Sequence, residues 1–222
     1  MKKKFFTSLL LSVTTYCSHA AVDVVGTRVV YEGSKREASL SVKLNKSDTP
    51  HLVQSWIEDN GNSSSKRMIV TPPLFRMEPG EEATLRIIRI DDAHLPQDKE
   101  SVFWLNTKGI PALEKQSGNT LNIAINTRIK IFYRPEKLAG STDESGKGLK
   151  WAQQHDLLQV TNSSARFVSF RRVQADSTDI TKKIRMIAPG QTLTIPMKGV
   201  KKVAWSYIND YGGGSELQSY SF

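Results

Sequence analysis

Leu121-Asn-Ile-Ala-Ile-Asn-Thr-Arg-Ile-Lys-Ile-Phe-Tyr-Arg134 alternates along its whole length. Odd positions read Leu, Ile, Ile, Thr, Ile, Ile, Tyr, and even positions read Asn, Ala, Asn, Arg, Lys, Phe, Arg. A period of two sends successive side chains to opposite faces of a strand, so one face is apolar and the other carries the charge. At about 3.3 Å per residue, positions 121–133 span about 40 Å, roughly twice the common strand length. Two readings stand. The segment is a long central strand with one buried face, or part of it lies on a sheet edge and presents Leu121, Ile123 and Ile125 to a partner. Exposed edges are normally blunted by charge or proline, and the first half of this strand contains neither.

The same alternation recurs on both sides. Ser39 to Asn45 places Leu40, Val42 and Leu44 on one face, and His51 to Glu58 reads as a strand containing Trp56. Met68 to Phe75 ends a strand in the double proline Pro72-Pro73. The turn Met77-Glu-Pro-Gly80 leads to a strand over Ala83–Ile90, and Ser101–Asn106 forms another. Beyond Tyr133 the stretch Arg134–Gly148 is polar and rich in turn residues, and reads as a linker or long loop. Shorter strands follow at Leu157–Thr161, Ala165–Val173, Lys183–Ile187, Leu193–Met197, Lys202–Asn209 and Glu216–Phe222. Short strands at this spacing, with Gly, Pro, Asn or Asp between them, predict an all-β sandwich architecture. The composition shift places a domain boundary near residue 138, giving 21–138 and 139–222. No internal repeat is evident in the sequence.

The chain has 222 residues and a formal net charge of +9, with 38% apolar and 24% charged residues, a globular composition. Residues 1–20 read as an export signal. Lys2, Lys3 and Lys4 form a basic start, Phe5 to Val13 a short apolar run, and Ser18-His-Ala20 a cleavage site. That run is too short for a membrane span, which needs about 20 residues, and no later segment inserts. Cys17, the only cysteine, lies in the signal. The exported chain is therefore expected to hold no disulfide, no thiol nucleophile and no cysteine-based metal site, and a bacterial periplasmic location follows.

Enzyme chemistry finds no support. His51, His94 and His155 are isolated, so neither a metal site nor another cofactor is expected. Gly140–Gly148 (GSTDESGKG) has one residue too many before Gly146-Lys147, and Gly148 stands where a phosphate loop needs Ser or Thr. A flexible linker is the better reading. Gly212-Gly-Gly-Ser-Glu216 is not a nucleophile elbow. The cationic pairs Lys66-Arg67, Arg171-Arg172, Lys182-Lys183 and Lys201-Lys202 are scattered, with no interleaved stacking aromatics. They read as solvated surface, and no nucleic-acid partner is expected. Asp98-Lys-Glu100 before an aromatic strand reads as a solvated turn. Arg28 inside the apolar strand Thr27–Tyr31 reads as paired with a local acid, or as a packed stem whose head reaches water.

Several motifs together resemble the periplasmic pilus-assembly chaperones of the PapD and FimC type. They are Leu95-Pro-Gln-Asp-Lys-Glu-Ser-Val-Phe-Trp-Leu-Asn106 with Ile110-Pro111, Arg128-Ile-Lys-Ile-Phe-Tyr-Arg-Pro135, Thr27-Arg28, Thr71-Pro-Pro73, Glu78-Pro-Gly80 and Ser206-Tyr-Ile-Asn-Asp-Tyr-Gly-Gly213. Thr107 departs from the pattern, where the family usually has an aliphatic residue. The resemblance implies two immunoglobulin-like sandwiches set at an angle in a boomerang. It implies that Arg28 and Lys130 anchor a pilus subunit's C-terminal carboxylate, that Leu121, Ile123 and Ile125 are lent to the subunit as a donor strand, and that Glu100, Arg134 and Asp210 form an interdomain charge network. It implies pilus subunits and an outer-membrane usher as partners and leaves self-association of the free chain open. The short connection Pro111–Thr120 resembles the short-loop subfamily, associated with rod-type pili.

Two competing readings are an exported structural sandwich, such as a fimbrial or adhesin subunit, and a periplasmic hydrolase. A subunit would need its own N-terminal donor extension and would often carry a disulfide, and the sequence shows neither. One internal tension remains. Leu121, Ile123 and Ile125 have one strand parity and Lys130 has the other, yet the resemblance brings both to one ligand. Edge pairing with a local bulge or twist between Asn126 and Ile129 is the expected reconciliation.

Overall fold

The computed structural model describes residues 22–59, 63–90, 94–112, 123–138 and 140–222. Residues 1–20, read from the sequence as an export signal, and Leu121 lie outside these. Domain one contains β1 (Val22–Val24), β2 (Arg28–Glu32), β3 (Glu37–Leu44), β4 (His51–Glu58), β5 (Met68–Thr71), β6 (Leu74–Met77), β7 (Glu82–Arg89), β8 (Ser101–Pro111) and β9 (Ile125–Arg134). A four-stranded sheet in the order β1-β3-β7-β5 packs against a five-stranded sheet in the order β2-β9-β8-β4-β6. Alternation decides which faces meet. Leu40, Val42 and Leu44 of one sheet and Val53, Leu105, Ile129, Ile131 and Tyr133 of the other are all buried in a single core. The double proline does more than end a strand. It separates β5 from β6, which lie in different sheets, so the chain changes layer where proline removes the ladder donors.

Domain two contains β10 (Lys150–Gln154), β11 (Leu157–Thr161), β12 (Val168–Ala175), β13 (Thr178–Asp179), β14 (Met186–Ile187), β15 (Thr192–Pro196), β16 (Lys202–Tyr207) and β17 (Gln218–Ser221). The sheet β10-β11-β15 packs on β13-β12-β16-β17, with β14 also paired to β12. Its core is separate and centres on Trp151, Phe170 and Trp205, with indole centroids 5.5 Å apart. The two domains are immunoglobulin-like sandwiches.

The segment expected to be a flexible linker is packed instead. A 3-10 turn at Glu136–Leu138 and a short helix α1 (Asp143–Lys147) lie within it, and Thr142, Ser145 and Gly146 are buried. Tyr207 donates to the Asp143 carbonyl (3.1 Å) and the Trp205 indole to the Gly146 carbonyl (2.9 Å). Composition misled because small polar residues mark both loops and tight contacts. Gly146 is small because a Cβ there would collide with the Tyr207 ring. The expected bulge in β9 is also absent. Its pairing with β8 runs from Ser101↔Tyr133 to Gly109↔Ile125 without a register shift.

Candidate functional site: the cleft between the domains

The cleft is built by β2 and β9. They pair in parallel, with Arg28 opposite Lys130 and Glu32 opposite Arg134. Directly paired residues stand on the same face, so Arg28 and Lys130 project together, away from the core that takes Ile129 and Ile131. Phe132 shares their face and lies under the Arg28 guanidinium, 5.6 Å from its centre.

Among the described residues neither cation is in a salt bridge. Arg28 donates from Nη1 to the Ile208 carbonyl of domain two (3.2 Å), and its buried Nε has no hydrogen-bond partner. Burial pulls the Arg28 pKa below its ordinary value, against the opposing field of Asp210. The expectation of a locally paired arginine therefore gives way to a half-buried cation that lines the cleft, without a salt bridge among the described residues. The Lys130 ammonium sits 5.6 Å from the ring centre of Trp104, its cross-strand partner. Burial lowers the Lys130 pKa, and the neighbouring positive charges of Arg28 and Arg185 lower it further. Arg128 stacks on the same indole at 4.4 Å and pairs with Glu58 at 2.9 Å. A cleft of about 710 Å³ opens here, and Lys182, Lys183, Arg185 and Met186 of domain two line its far wall.

On the other side of β9, the strand edge is half covered. β2 pairs only with Lys130–Arg134. Among the described residues, Ile125–Ile129 are paired with β8 alone. Ile129 is buried in the core, but Ile125 is 40% exposed and Ile123 63% exposed. These isoleucines keep the core-facing parity and overhang the end of the core. The edge expected from the sequence is present, and it carries no bulge.

Glu100, Arg134 and Asp210 are brought together by the fold. Arg134 donates from Nε to Glu100 Oε1 (2.7 Å), and from both terminal nitrogens to the Asp210 carboxylate (2.9 Å each). It also reaches the Gly140 carbonyl (2.6 Å) and Thr142 Oγ1 (3.1 Å). Glu100 is not in a solvated turn. Its side chain is 1% exposed, and it crosses to domain two by accepting the Phe167 N–H (2.8 Å). Phe132 meets Phe167 beside it, with centroids 5.8 Å apart.

Burial holds the Glu100 pKa above the usual carboxylate range despite Arg134 and the Phe167 N–H. For Asp210, the hydrogen bonds from Arg134 and Thr142 overcome burial, and its pKa is lowered. Arg134 is raised above its ordinary value because Asp210 and Glu100 outweigh its own burial. Asp210 is delivered by a turn organised on Asn209, whose Oδ1 accepts the N–H of Gly213 (2.8 Å) and of Tyr211 (3.1 Å). Gly212 takes φ +86° within this turn, a region that favours glycine.

Sequence reasoning did not single out Thr142, Trp104 or the domain-two cations. Thr142 occupies the N-cap of α1 but makes no cap bond, because its hydroxyl donates to Asp210. The pair Lys182-Lys183 was visible as a charge run. What places it at the cleft is the spacing of the buried Ile180 and Ile184 around it. Among the described residues no group of three His, Cys, Asp or Glu could hold a metal ion, and no helix is long and apolar enough to cross a membrane.

Comparison with known proteins decides the family. Residues 21–139 match the pili and flagellar-assembly chaperone family, PapD N-terminal domain, and residues 144–219 match the pili assembly chaperone PapD C-terminal domain. The chain belongs to the PapD family of pilus-assembly chaperones. A probable fimbrial chaperone LpfB from Escherichia coli O157:H7 is 39% identical, covering 98% of this chain and 96% of the relative. Chaperone protein FimC of Escherichia coli K12 is 34% identical, covering 88% and 82% respectively. A solved Salmonella enterica structure, the SafA pilin in complex with the SafB chaperone, contains a chain that superimposes with a TM-score of 0.83 at 29% identity, covering 93% of this chain and 99% of that one. These relatives are chaperones, which disfavours the structural-subunit reading.

Proposed function

We propose that this chain acts in the periplasm by lending β9 to an incomplete pilus subunit and holding the subunit's C-terminal carboxylate on Arg28 and Lys130. Residues 1–20 are then an export signal, and the domains divide after Leu138. The observation that carries the reading is the free edge of β9, which ends where β2 and the two unpaired cations begin. A ligand strand on that edge would lie in line with β2. If its C-terminus stops at Arg28, it runs in the same direction as β9 and pairs in parallel.

On this reading the two parities serve one ligand. The carboxylate at the end of the strand lies near the sheet plane, where Arg28 and Lys130 can reach it from one face. Ile123 and Ile125 point from the other face, toward the subunit's open groove, and the sequence alternation assigns Leu121 the same part. Backbone pairing supplies generic affinity and alternating side chains supply fit, the established mode of strand addition in chaperone–pilin complexes. Each charge-assisted bond to the carboxylate contributes about 1.5–3 kcal/mol. No catalytic step and no cofactor is required. A better-fitting strand, supplied during assembly at an outer-membrane usher, displaces β9. The same free edge is where two unloaded copies would pair.

The test is capture of pilus subunits by Ile123→Asp, Arg28→Ala and Lys130→Ala, with circular dichroism alongside. All three variants are expected to fold and to lose stable capture. Ile123→Asp tolerates its charge because the side chain is exposed, whereas a charge in the core would unfold domain one. Folded variants that capture normally overturn the assignment of these residues.

A further inference from the structure

We infer that the domain-two wall of the cleft is a second anion subsite, which selects subunits carrying an acidic side chain within the last few residues before their C-terminus. This rests on the carboxylate-anchor reading of Arg28 and Lys130 and adds a specificity element to it.

The wall is built from the sequence upward. Ile180 and Ile184 are buried and pin the intervening turn to the core of domain two. Ile180 donates its N–H to the Val173 carbonyl (2.9 Å), Lys183 to the Ile180 carbonyl (2.9 Å), and Phe170 to the Arg185 carbonyl (3.0 Å). A turn held by these bonds has its backbone fixed, so the charged residues between and after the isoleucines are presented outward. Lys182, Lys183 and Arg185 are all exposed and all line the cleft.

A second, smaller hollow of about 300 Å³ continues from the cleft. Lys130, Lys182 and Arg185 border it together with Ser169. The Ser169 hydroxyl is buried and has no hydrogen-bond partner.

The charge balance shows what this hollow asks for. Among the described residues, Lys182, Lys183 and Arg185 are in no ion pair. Asp179 lines neither hollow and acts on Lys182 only through its field. No acid among the described residues lines either hollow. Arg128 is, among the described residues, the lining cation that already has a carboxylate, Glu58. A single terminal carboxylate answers two cations on β2 and β9 and leaves three facing it across the cleft. Like charges so arranged repel one another and are partly desolvated when a ligand closes over them. A ligand with an additional carboxylate close to its terminus relieves that repulsion, and one carrying a lysine there adds to it.

The experiment uses the full mature chain and synthetic peptides. Each is an alternating apolar ten-residue peptide with a free C-terminus, carrying either glutamate or glutamine three residues from the end. Binding is read by fluorescence anisotropy at low and moderate salt. The wild-type chain is expected to prefer the glutamate peptide by about tenfold or more, with the preference shrinking as salt rises. In the triple variant Lys182→Ala, Lys183→Ala, Arg185→Ala, the preference is expected to collapse. In Arg28→Ala both peptides should weaken by the same factor, leaving the preference in place. Circular dichroism of each variant verifies folding.

A wild-type chain that does not discriminate, or a folded triple variant that still does, overturns the proposal. A DNA oligonucleotide or oligo-glutamate bound as tightly as the glutamate peptide also overturns it, because the wall would then be a general polyanion surface. C-terminal amidation separates this result from the underlying reading. If amidation leaves affinity unchanged, the terminal-carboxylate anchor fails, while the comparison of glutamate with glutamine still decides the subsite. If no peptide binds the wild-type chain, both fail.

Discussion

Arg28 and Arg134 stand four pairs apart on the same parallel β2–β9 ladder, and their surroundings are opposite. Arg134 is saturated: every one of its guanidinium nitrogens meets an acceptor within the chain, and two of its partners are carboxylates. Among the described residues, Arg28 has no salt bridge: it donates to one backbone carbonyl, its buried Nε is left over, and the field of Asp210 offsets its burial only in part. The first arrangement locks one domain against the other. The second keeps a charge in a condition that an incoming carboxylate would improve. Burial alone does not distinguish a structural cation from a binding cation. The presence or absence of an internal counter-charge does.

Removing Arg134 should break the contrast most severely. Arg134→Ala leaves Glu100 buried with its charge unanswered and strips Asp210 of two bonds. A loss of about 3–5 kcal/mol is expected, measured by urea denaturation followed at the tryptophans of both domains. A loss below about 1 kcal/mol would mean that the network is not what holds the domains.

Asp210→Asn is a milder version of the same test. Losing one charge from the bidentate pair should cost about 1.5–3 kcal/mol and widen the distribution of interdomain angles seen by small-angle scattering. The pH dependence has a defined sign. Because the folded pKa of Asp210 is lowered, its stabilisation is complete above the unfolded value of about 3.9 and disappears as pH falls through the folded value. Acid should therefore loosen the wild-type interface below about pH 4, and Asp210→Asn should flatten that part of the profile. An unchanged scattering curve and melting profile would show that the contact does not orient the domains.

Gly146→Ala tests the packed connection behind the network. The new methyl meets the Tyr207 ring, and overpacking of this kind costs about 1–3 kcal/mol. A neutral result in thermal melts would show that α1 can move, and Thr142 with it.

The smallest effect on stability is expected on the binding side. The Lys130 ammonium is held below its ordinary pKa by burial and by its cationic neighbours. Its charge therefore opposes folding at neutral pH, a cost that vanishes as pH rises through the folded pKa toward about 10.4. Lys130→Met should change stability by no more than about 1 kcal/mol, in the stabilising direction. It should nevertheless lose subunit capture. A clear destabilisation in melts would assign Lys130 a structural role like that of Arg134.

Much of this was readable in the chain. Alternation in β3 and β9 specifies strands with one buried face, because a side-chain period of two sends every second residue to the same side. The motif residues around Glu100, Arg134 and Asp210 resemble those of a known family, although 34 and 76 residues separate Arg134 from its partners. The weakest reading was the stretch from Arg134 to Gly148. Its polar composition is shared by linkers and by helical turns that pack tightly through small residues. The short edge elements β10, β13 and β14 were missed or misplaced for a related reason. Such strands are specified by the neighbour they pair with more than by their own pattern.

The sequence by itself determined the β architecture, the alternation of β9 and the identity of its charged residues, because these depend on local periodicity and residue type. Only the tertiary structure decided that β2 stops covering β9 at Lys130, that β9 stays in register through its exposed half, and that Arg28 lacks an acid while Arg134 has two. It alone placed Lys182, Lys183 and Arg185 opposite Lys130. Which edge is free and which charge is answered depend on distances between segments far apart in the chain, and strand periodicity carries no information about those distances.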